Sequence, residues 1–243
     1  MWSYYGSKSK IVHLYPKPKF DRIIEPFAGT ARYSLLYWDH DITVVDKYEV
    51  IVRIWRWLQQ CSSKDILSLP NLKVGDKIAR GMFDCEEQFW FMGFLISEGV
   101  STPRHTVTSM AQSSHSGHGI AAKKAIIARN IHKCRNWNIV HGSYECLENV
   151  EATWFIDPPY QYGGEGYKEG KKNLDFHSLA GWCKSRKGQT IVCENTKADW
   201  LPFRPMKVIQ GTANTFTTEA LWSNLPTDYD MDQLTMFDRS DYA

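Results

Sequence analysis

Four short apolar runs in this chain each stop at a carboxylate: Ile23-Ile24-Glu25, Ile42-Thr43-Val44-Val45-Asp46, Thr153-Trp154-Phe155-Ile156-Asp157, and Gln189-Thr190-Ile191-Val192-Cys193-Glu194. Each has the length of a strand. Segments with helical spacing lie between them: Arg32 to Trp38, Tyr48 to Gln60 with Ile51, Ile54, Trp55 and Leu58 on one face, and Asp175 to Lys187. Strands alternating with helices predict an α/β chain with a mainly parallel, doubly wound sheet of the Rossmann-like kind, whose ligands bind at the carboxyl ends of the strands. All four carboxylates fall at such ends. Asn138 to His141 reads as a further strand, and two late runs, Lys207 to Gln210 and Glu219 to Trp222, complete the sheet.

The chain has 243 residues, enough for one sizeable domain or for a core domain carrying an insertion. A net charge of +2 announces no polyanion partner, so any basic surface has to be local. Ten Trp and twelve Tyr suit a large core and suit stacking on bases equally well. The six cysteines (Cys61, Cys85, Cys134, Cys146, Cys183, Cys193) form no C-x-x-C pair. Reduced thiols in a cytoplasmic protein are therefore expected. His105, His115 and His118 have no carboxylate or thiol in register, and no metal is expected. The longest apolar run, Phe89 to Ile96, falls far short of the ~20 residues that span a bilayer, so no membrane partner is expected.

Three stretches carry ligand chemistry. In Asp157-Pro158-Pro159-Tyr160 the strand ends at a carboxylate and two prolines, which remove two backbone donors and leave turn carbonyls without regular partners. Acceptors beside the flat face of Tyr160 suit an amino group on a flat heterocycle; a proline-terminated strand with a packing aromatic is the plain alternative. In Pro26-Phe27-Ala28-Gly29-Thr30-Ala31, between a strand and a helix, Gly29 lets the backbone approach a ligand and Thr30 is placed to cap the helix. Asp46, about 20 residues further on, stands where a nucleotide site receives ribose hydroxyls, or is a strand-end turn residue. The N-terminal Ser3 to Lys10 segment mixes small residues, aromatics and cations, and reads as a solvated arm or as part of the site.

From about residue 61 to 135 the alternation lapses. A polar connector, an aromatic-rich helix from Glu86 to Glu98 and a Ser/Thr/His/Gly loop from Ser101 to Gly119 precede a basic helix with Lys123, Lys124, Arg129, Lys133 and Arg135. A polar loop containing His115 and His118 beside a cationic helix suits phosphates and base edges, although a solvated helix face with an ordinary loop has the same composition.

In this order the chain holds an N-terminal Gly/Lys motif, Glu25-Pro26-Phe27-Ala28-Gly29, a long insertion and Asp157-Pro158-Pro159-Tyr160. It thereby resembles the Dam-like DNA adenine-N6 methyltransferases over roughly residues 3–222. The resemblance implies a Rossmann-like methyltransferase fold, S-adenosylmethionine as cofactor and double-stranded DNA as partner, with residues 1–60 and 136–225 as the catalytic domain and 61–135 as a target-recognition region. It implies that Tyr5, Lys8 and Lys10 belong to the cofactor motif, that Glu25, Phe27, Ala28, Gly29, Thr30 and Ala31 form the loop on the methionine side, and that Asp46 holds the ribose. Ser143 and Tyr144 fall at the adenine-ring contact, and Asp157, Pro158, Pro159 and Tyr160 at the target base, with Asp157 also beside the cofactor. The family usually has another Gly where Ala31 stands and an acid where Ser143 stands. Cytosine-N4 enzymes more often have Ser at position 157, and protein-amide methyltransferases usually begin the motif with Asn; a non-catalytic DNA-binding relative is the remaining alternative. In the tail, residues 226–243, Gln233-Leu234-Thr235-Met236-Phe237 is similar to the Q-L-x-L-F motif that docks bacterial replication proteins onto the sliding clamp. Gln233 would meet the pocket rim and Leu234, Met236 and Phe237 its apolar pockets, or the tail folds back on its own domain. Such a clamp implies the cytoplasm of a bacterial or phage-infected cell.

Overall fold

The computed structural model describes residues 2–112, 119–163, 166–168, 174–210 and 216–227. The expectations placed on His115, His118, Gln233, Leu234, Met236 and Phe237 fall outside them.

Among the described residues seven strands form one sheet: β1 (Arg22–Glu25), β2 (Asp41–Asp46), β3 (Asn138–His141), β4 (Ala152–Ile156), β5 (Gly188–Asn195), β6 (Arg204–Gln210) and β7 (Phe216–Ser223). Their spatial order is β3-β2-β1-β4-β5-β7-β6, and the first five are parallel to one another. The two late runs complete the sheet as an antiparallel pair, with β7 reversed against both β5 and β6. The chain winds outward from β1 to β3, then returns to the other side of β1 with β4. The switch point therefore lies between the carboxyl ends of β1 and β4, where this class of sheet opens a crevice for ligands.

Side chains alternate across the sheet and build two cores. On one face Ile23, Phe155, Ile191 and Cys193 pack with Tyr33 of α1 (Arg32–Leu36) and with Ile51, Ile54, Trp55 and Leu58 of α2 (Glu49–Gln60). On the other, Ile24, Trp154, Ile156 and Val192 pack with Leu179, Ala180 and Cys183 of α7 (Phe176–Lys184). Both faces are covered, as double winding requires.

Between α2 and β3 the chain adds α3 (Ser63–Ser68), α4 (Glu86–Leu95), α5 (Ser109–Gln112) and α6 (Ile120–Asn130). Among the described residues this insertion has no separate core, because Ile66, Phe91, Met92, Phe94 and Ile127 join the cluster that contains α2. The polar connector expected after Cys61 contains α3, which starts at a reciprocal cap: the Ser62 hydroxyl accepts from the Asp65 amide at 3.2 Å, and Asp65 Oδ2 accepts from the Ser62 amide at 2.7 Å. The Ser-x-x-Asp spacing carried that signal.

The N-terminal segment is not a solvated arm. Trp2, Tyr4, Ile11 and Tyr15 are buried in the main core, and the Tyr5 amide donates to the Val100 carbonyl at 3.2 Å, tying the segment to the insertion. Among the described residues no helix is long and apolar enough to cross a membrane, no group of three potential ligands gathers to hold a metal, and all six cysteines are free.

Candidate active site

A cavity of ≈ 320 Å³ opens over the switch point, lined by the N-terminal segment, the loop after β1, and the ends of β2, β3 and β4. The loop after β1 is held in an uncommon conformation. Gly29 has φ +47°, and a Cβ there would approach the Tyr4 ring to 3.3 Å. Ala31 is left-handed too, at φ 44° and ψ 51°, where a side chain costs energy that glycine avoids. The expectation that Thr30 caps α1 is wrong: the capping position falls to Ala31, which has no side chain to do it, and Thr30 Oγ1 instead bonds Ser7 Oγ at 3.0 Å. Buried Glu25 supplies the cap from β1, its Oε1 accepting from the Ser34 amide at 2.5 Å. Burial pushes its carboxyl up to about 8, against the pull of the Ser34 hydrogen bonds.

Asp46 braces the same loop. Its Oδ2 accepts from the Gly29 amide and its Oδ1 from the Tyr48 amide, each at 2.8 Å, and it faces the cavity. Across the cavity the Lys8 ammonium lies 2.7 Å from Asp157 Oδ1, donates to the Gly6 carbonyl at 3.1 Å and sits 4.7 Å from the Tyr160 ring centroid. Lys8 is 6% exposed and Asp157 16%. Burial raises the Asp157 carboxyl to about 6, although Lys8 pulls it down. For Lys8 burial works against the charge, but Asp157 and Glu219 outweigh it and hold its proton more firmly than usual. Both directions have one origin, two carboxylates facing a single ammonium away from water.

Glu219 is the member of this group that sequence reasoning missed. It lies on β7, 7% exposed, and its Oε2 accepts from the hydroxyls of Tyr160 at 2.5 Å and Tyr15 at 3.2 Å. No local motif marks it, because only the reversed pairing of β7 with β5 brings it to the site.

The structure gathers Tyr5, Lys8, Glu25, Phe27, Ala28, Gly29, Thr30, Ala31, Asp46, Ser143, Tyr144, Asp157 and Pro159 around one cavity. Lys10 is a correction: it is exposed and does not line the cavity, because the chain turns away after Lys8. Pro158 and Tyr160 do not line it either; Pro158 is buried, and the Tyr160 ring lies beneath the Lys8 ammonium. Among the described residues no donor reaches the Pro158 carbonyl. Tyr144 is buried against Phe27, with ring centroids 5.6 Å apart. Ser143 Oγ donates to Glu145 Oε2 at 2.8 Å, so an acid two residues on reaches the cavity wall. Tyr167 completes the lining, its ring at 5.0 Å from that of Tyr5; Gly6 leaves room for its hydroxyl where a Cβ would collide.

The basic helix needs correction as well. Lys124 is 2% exposed and donates to the carbonyls of Leu67 and Leu69, capping the end of α3. Lys123 pairs with Glu98, and Arg135 donates to the carbonyls of Gln59 and Cys61. Of the five cations expected on this helix, only Arg129 is exposed, and Arg135 lies beyond the end of α6. Two exposed cations of the insertion, Lys77 and Arg104, lie on a short ribbon, where Lys77 pairs with Thr106 in antiparallel fashion and the Ile78 amide donates to the His105 carbonyl at 2.8 Å. Lys77, Arg104, His105 and Thr106 are exposed on it, over buried Ile78 and Val107.

No protein-family model matches the chain, and no curated protein matches it.

Proposed function

We propose that the protein transfers a methyl group from S-adenosylmethionine to the N6 amino group of an adenine extruded from double-stranded DNA. One observation carries the reading: a single cavity runs from the Asp46 carboxylate, past the Gly29 loop, to the Asp157 carboxylate that opens the Pro-Pro turn. Its donor set fits the cofactor part by part. A carboxylate at the end of β2 suits ribose hydroxyls, the Lys8 ammonium suits a carboxylate, and the Phe27 and Tyr144 rings suit a purine, with the Glu145 acceptor on the same cavity wall.

S-adenosylmethionine supplies a methyl group already activated on its sulfonium. The protein's own work is then positioning and electrostatics. An arylamine nitrogen shares its lone pair with the ring. Asp157 and the Pro158 carbonyl accept its two hydrogens, draw them out of plane and localise that pair on nitrogen. Lys8 holds Asp157 Oδ1 in the absence of substrate, so the ammonium has to give way, or share the carboxylate, as the amino group arrives. Extruding the base costs a few kcal/mol, and stacking on an aromatic face such as Tyr160 offsets part of it, by roughly 1–3 kcal/mol. In this reading residues 61–135 form the target-recognition region, and the tail is a candidate clamp ligand.

The test is digestion of DNA incubated with purified protein and S-adenosylmethionine, followed by mass spectrometry of the nucleosides. N6-methyladenine that disappears in Asp157→Asn supports the proposal. N4-methylcytosine would move the chemistry to the other base, and cofactor binding with no methylated base would leave a non-catalytic relative.

A further inference from the structure

We propose that Glu219 is a positioning residue for the target base, fixing the ring of Tyr160 on which that base stacks. The inference rests on the function proposed above.

The antiparallel pairing of β7 with β5 sets Glu219 opposite Asn195, at the carboxyl edge of the sheet beside the Asp157 turn. A buried carboxylate at that place needs partners, since leaving it unpaired costs several kcal/mol. It has two phenol donors on one oxygen, Tyr160 at 2.5 Å and Tyr15 at 3.2 Å. The bond to Tyr160 is short, as charge-assisted O–H···O⁻ bonds are. Tyr160 is held at two further points: its backbone follows two prolines, and the Lys8 ammonium lies against its ring. The Tyr160 hydroxyl oxygen lies on the χ2 axis, so its anchor fixes χ1 and the place of the ring, and it biases the rotation of the ring through the preference of a phenolic O–H for the ring plane. The plane of the ring sets the plane of the stacked base, and thereby the direction in which its amino group meets Asp157. Removing the anchor takes the acceptor from a partly buried phenol, and the ring shifts to find another.

Tyr15 makes a purely structural role conceivable, because Glu219 also ties the N-terminal segment to β7. The two roles separate by experiment. Glu219→Leu, Glu219→Gln, Tyr160→Phe and Tyr15→Phe are compared for kcat/KM of methyl transfer to DNA, for fluorescence of a 2-aminopurine placed at the target position, and for cofactor affinity by calorimetry. Positioning predicts that Glu219→Leu and Tyr160→Phe each lower kcat/KM about 3–10-fold, a fraction of what loss of a whole base–aromatic stack carries, because both variants keep the ring. It also predicts that their double variant falls no further, that Glu219→Gln with its retained acceptor recovers most of the rate, and that cofactor affinity stays within about threefold, a difference of well under 1 kcal/mol. The 2-aminopurine signal of Glu219→Leu should shift from the wild-type value, and Tyr15→Phe should leave rate and signal unchanged. An unimpaired Glu219→Leu, a loss reproduced by Tyr15→Phe, or cofactor affinity falling in step with rate would overturn the assignment while leaving the function standing. A wild type that methylates no DNA overturns both.

Discussion

The Lys8–Asp157 pair allows a prediction with a definite size and a definite dependence on pH. Two unit charges some 4 Å apart attract by about 4 kcal/mol at an effective dielectric constant near 20, and removing either partner of a buried pair typically costs ~3–5 kcal/mol. At 2.7 Å and nearly out of water, this pair belongs to that class. The cost of Asp157→Asn falls at the lower end, about 3 kcal/mol at pH 8, because Glu219 still faces the lysine. In Lys8→Met the remaining acid escapes by taking up a proton. Its carboxyl is already raised to about 6 from 3.8, and losing the ammonium raises it further. The native state then keeps a proton that the unfolded chain has released, so stability falls as pH rises from about 4 toward the folded value, by ~1.4 kcal/mol per unit. Urea denaturation of wild type, both single variants and the double at pH 5 and pH 8 gives the cycle. At pH 8 the coupling between the two sites should exceed ~1.5 kcal/mol, and at pH 5, where Asp157 is largely neutral, it should nearly vanish. Additivity within ~0.5 kcal/mol at pH 8, or equal coupling at both pH values, would refute the argument that the pair is ionised and desolvated.

Three further outcomes are expected. Ala31→Gly should raise stability by up to ~1 kcal/mol in denaturant titration, the left-handed penalty less the entropy that glycine adds to the unfolded chain; a loss would mean that the loop carries no such strain. Asp46→Asn should weaken S-adenosylmethionine binding by about 1.5–3 kcal/mol in calorimetry, since it removes the charge from the acceptor proposed for the ribose and turns a donor toward the Gly29 or Tyr48 amide; an unchanged constant would move the ribose elsewhere. Lys77→Gln with Arg104→Gln should flatten the salt dependence of DNA affinity by about 0.9 per lost phosphate contact, whereas Lys124→Gln should lower stability and leave the slope alone. The reverse pattern would return the DNA surface to α6.

Local pattern by itself determined the alternation of strands and helices, the ends of β1, β2, β4 and β5, and the gathering of Asp46, the Gly29 loop and Asp157 at one edge of the sheet. A parallel doubly wound sheet brings the carboxyl ends of its strands together wherever they lie in the chain, so residues more than a hundred positions apart were legible as neighbours. Side-chain partners were not legible in that way. That Lys8 faces Asp157 while Lys10 faces solvent depends on where an irregular segment turns, and that Lys123 and Lys124 point inward depends on which face of α6 the insertion covers. Composition sees a cation in all four places. The resemblance marks Ala31 only as standing where the family usually has Gly, and the backbone shows that the position is left-handed. Glu219 is the extreme case: it stands 204 positions from Tyr15 and 59 from Tyr160, on a strand whose reversal no local signal announces, and its place was decided by the tertiary pairing of β7 alone.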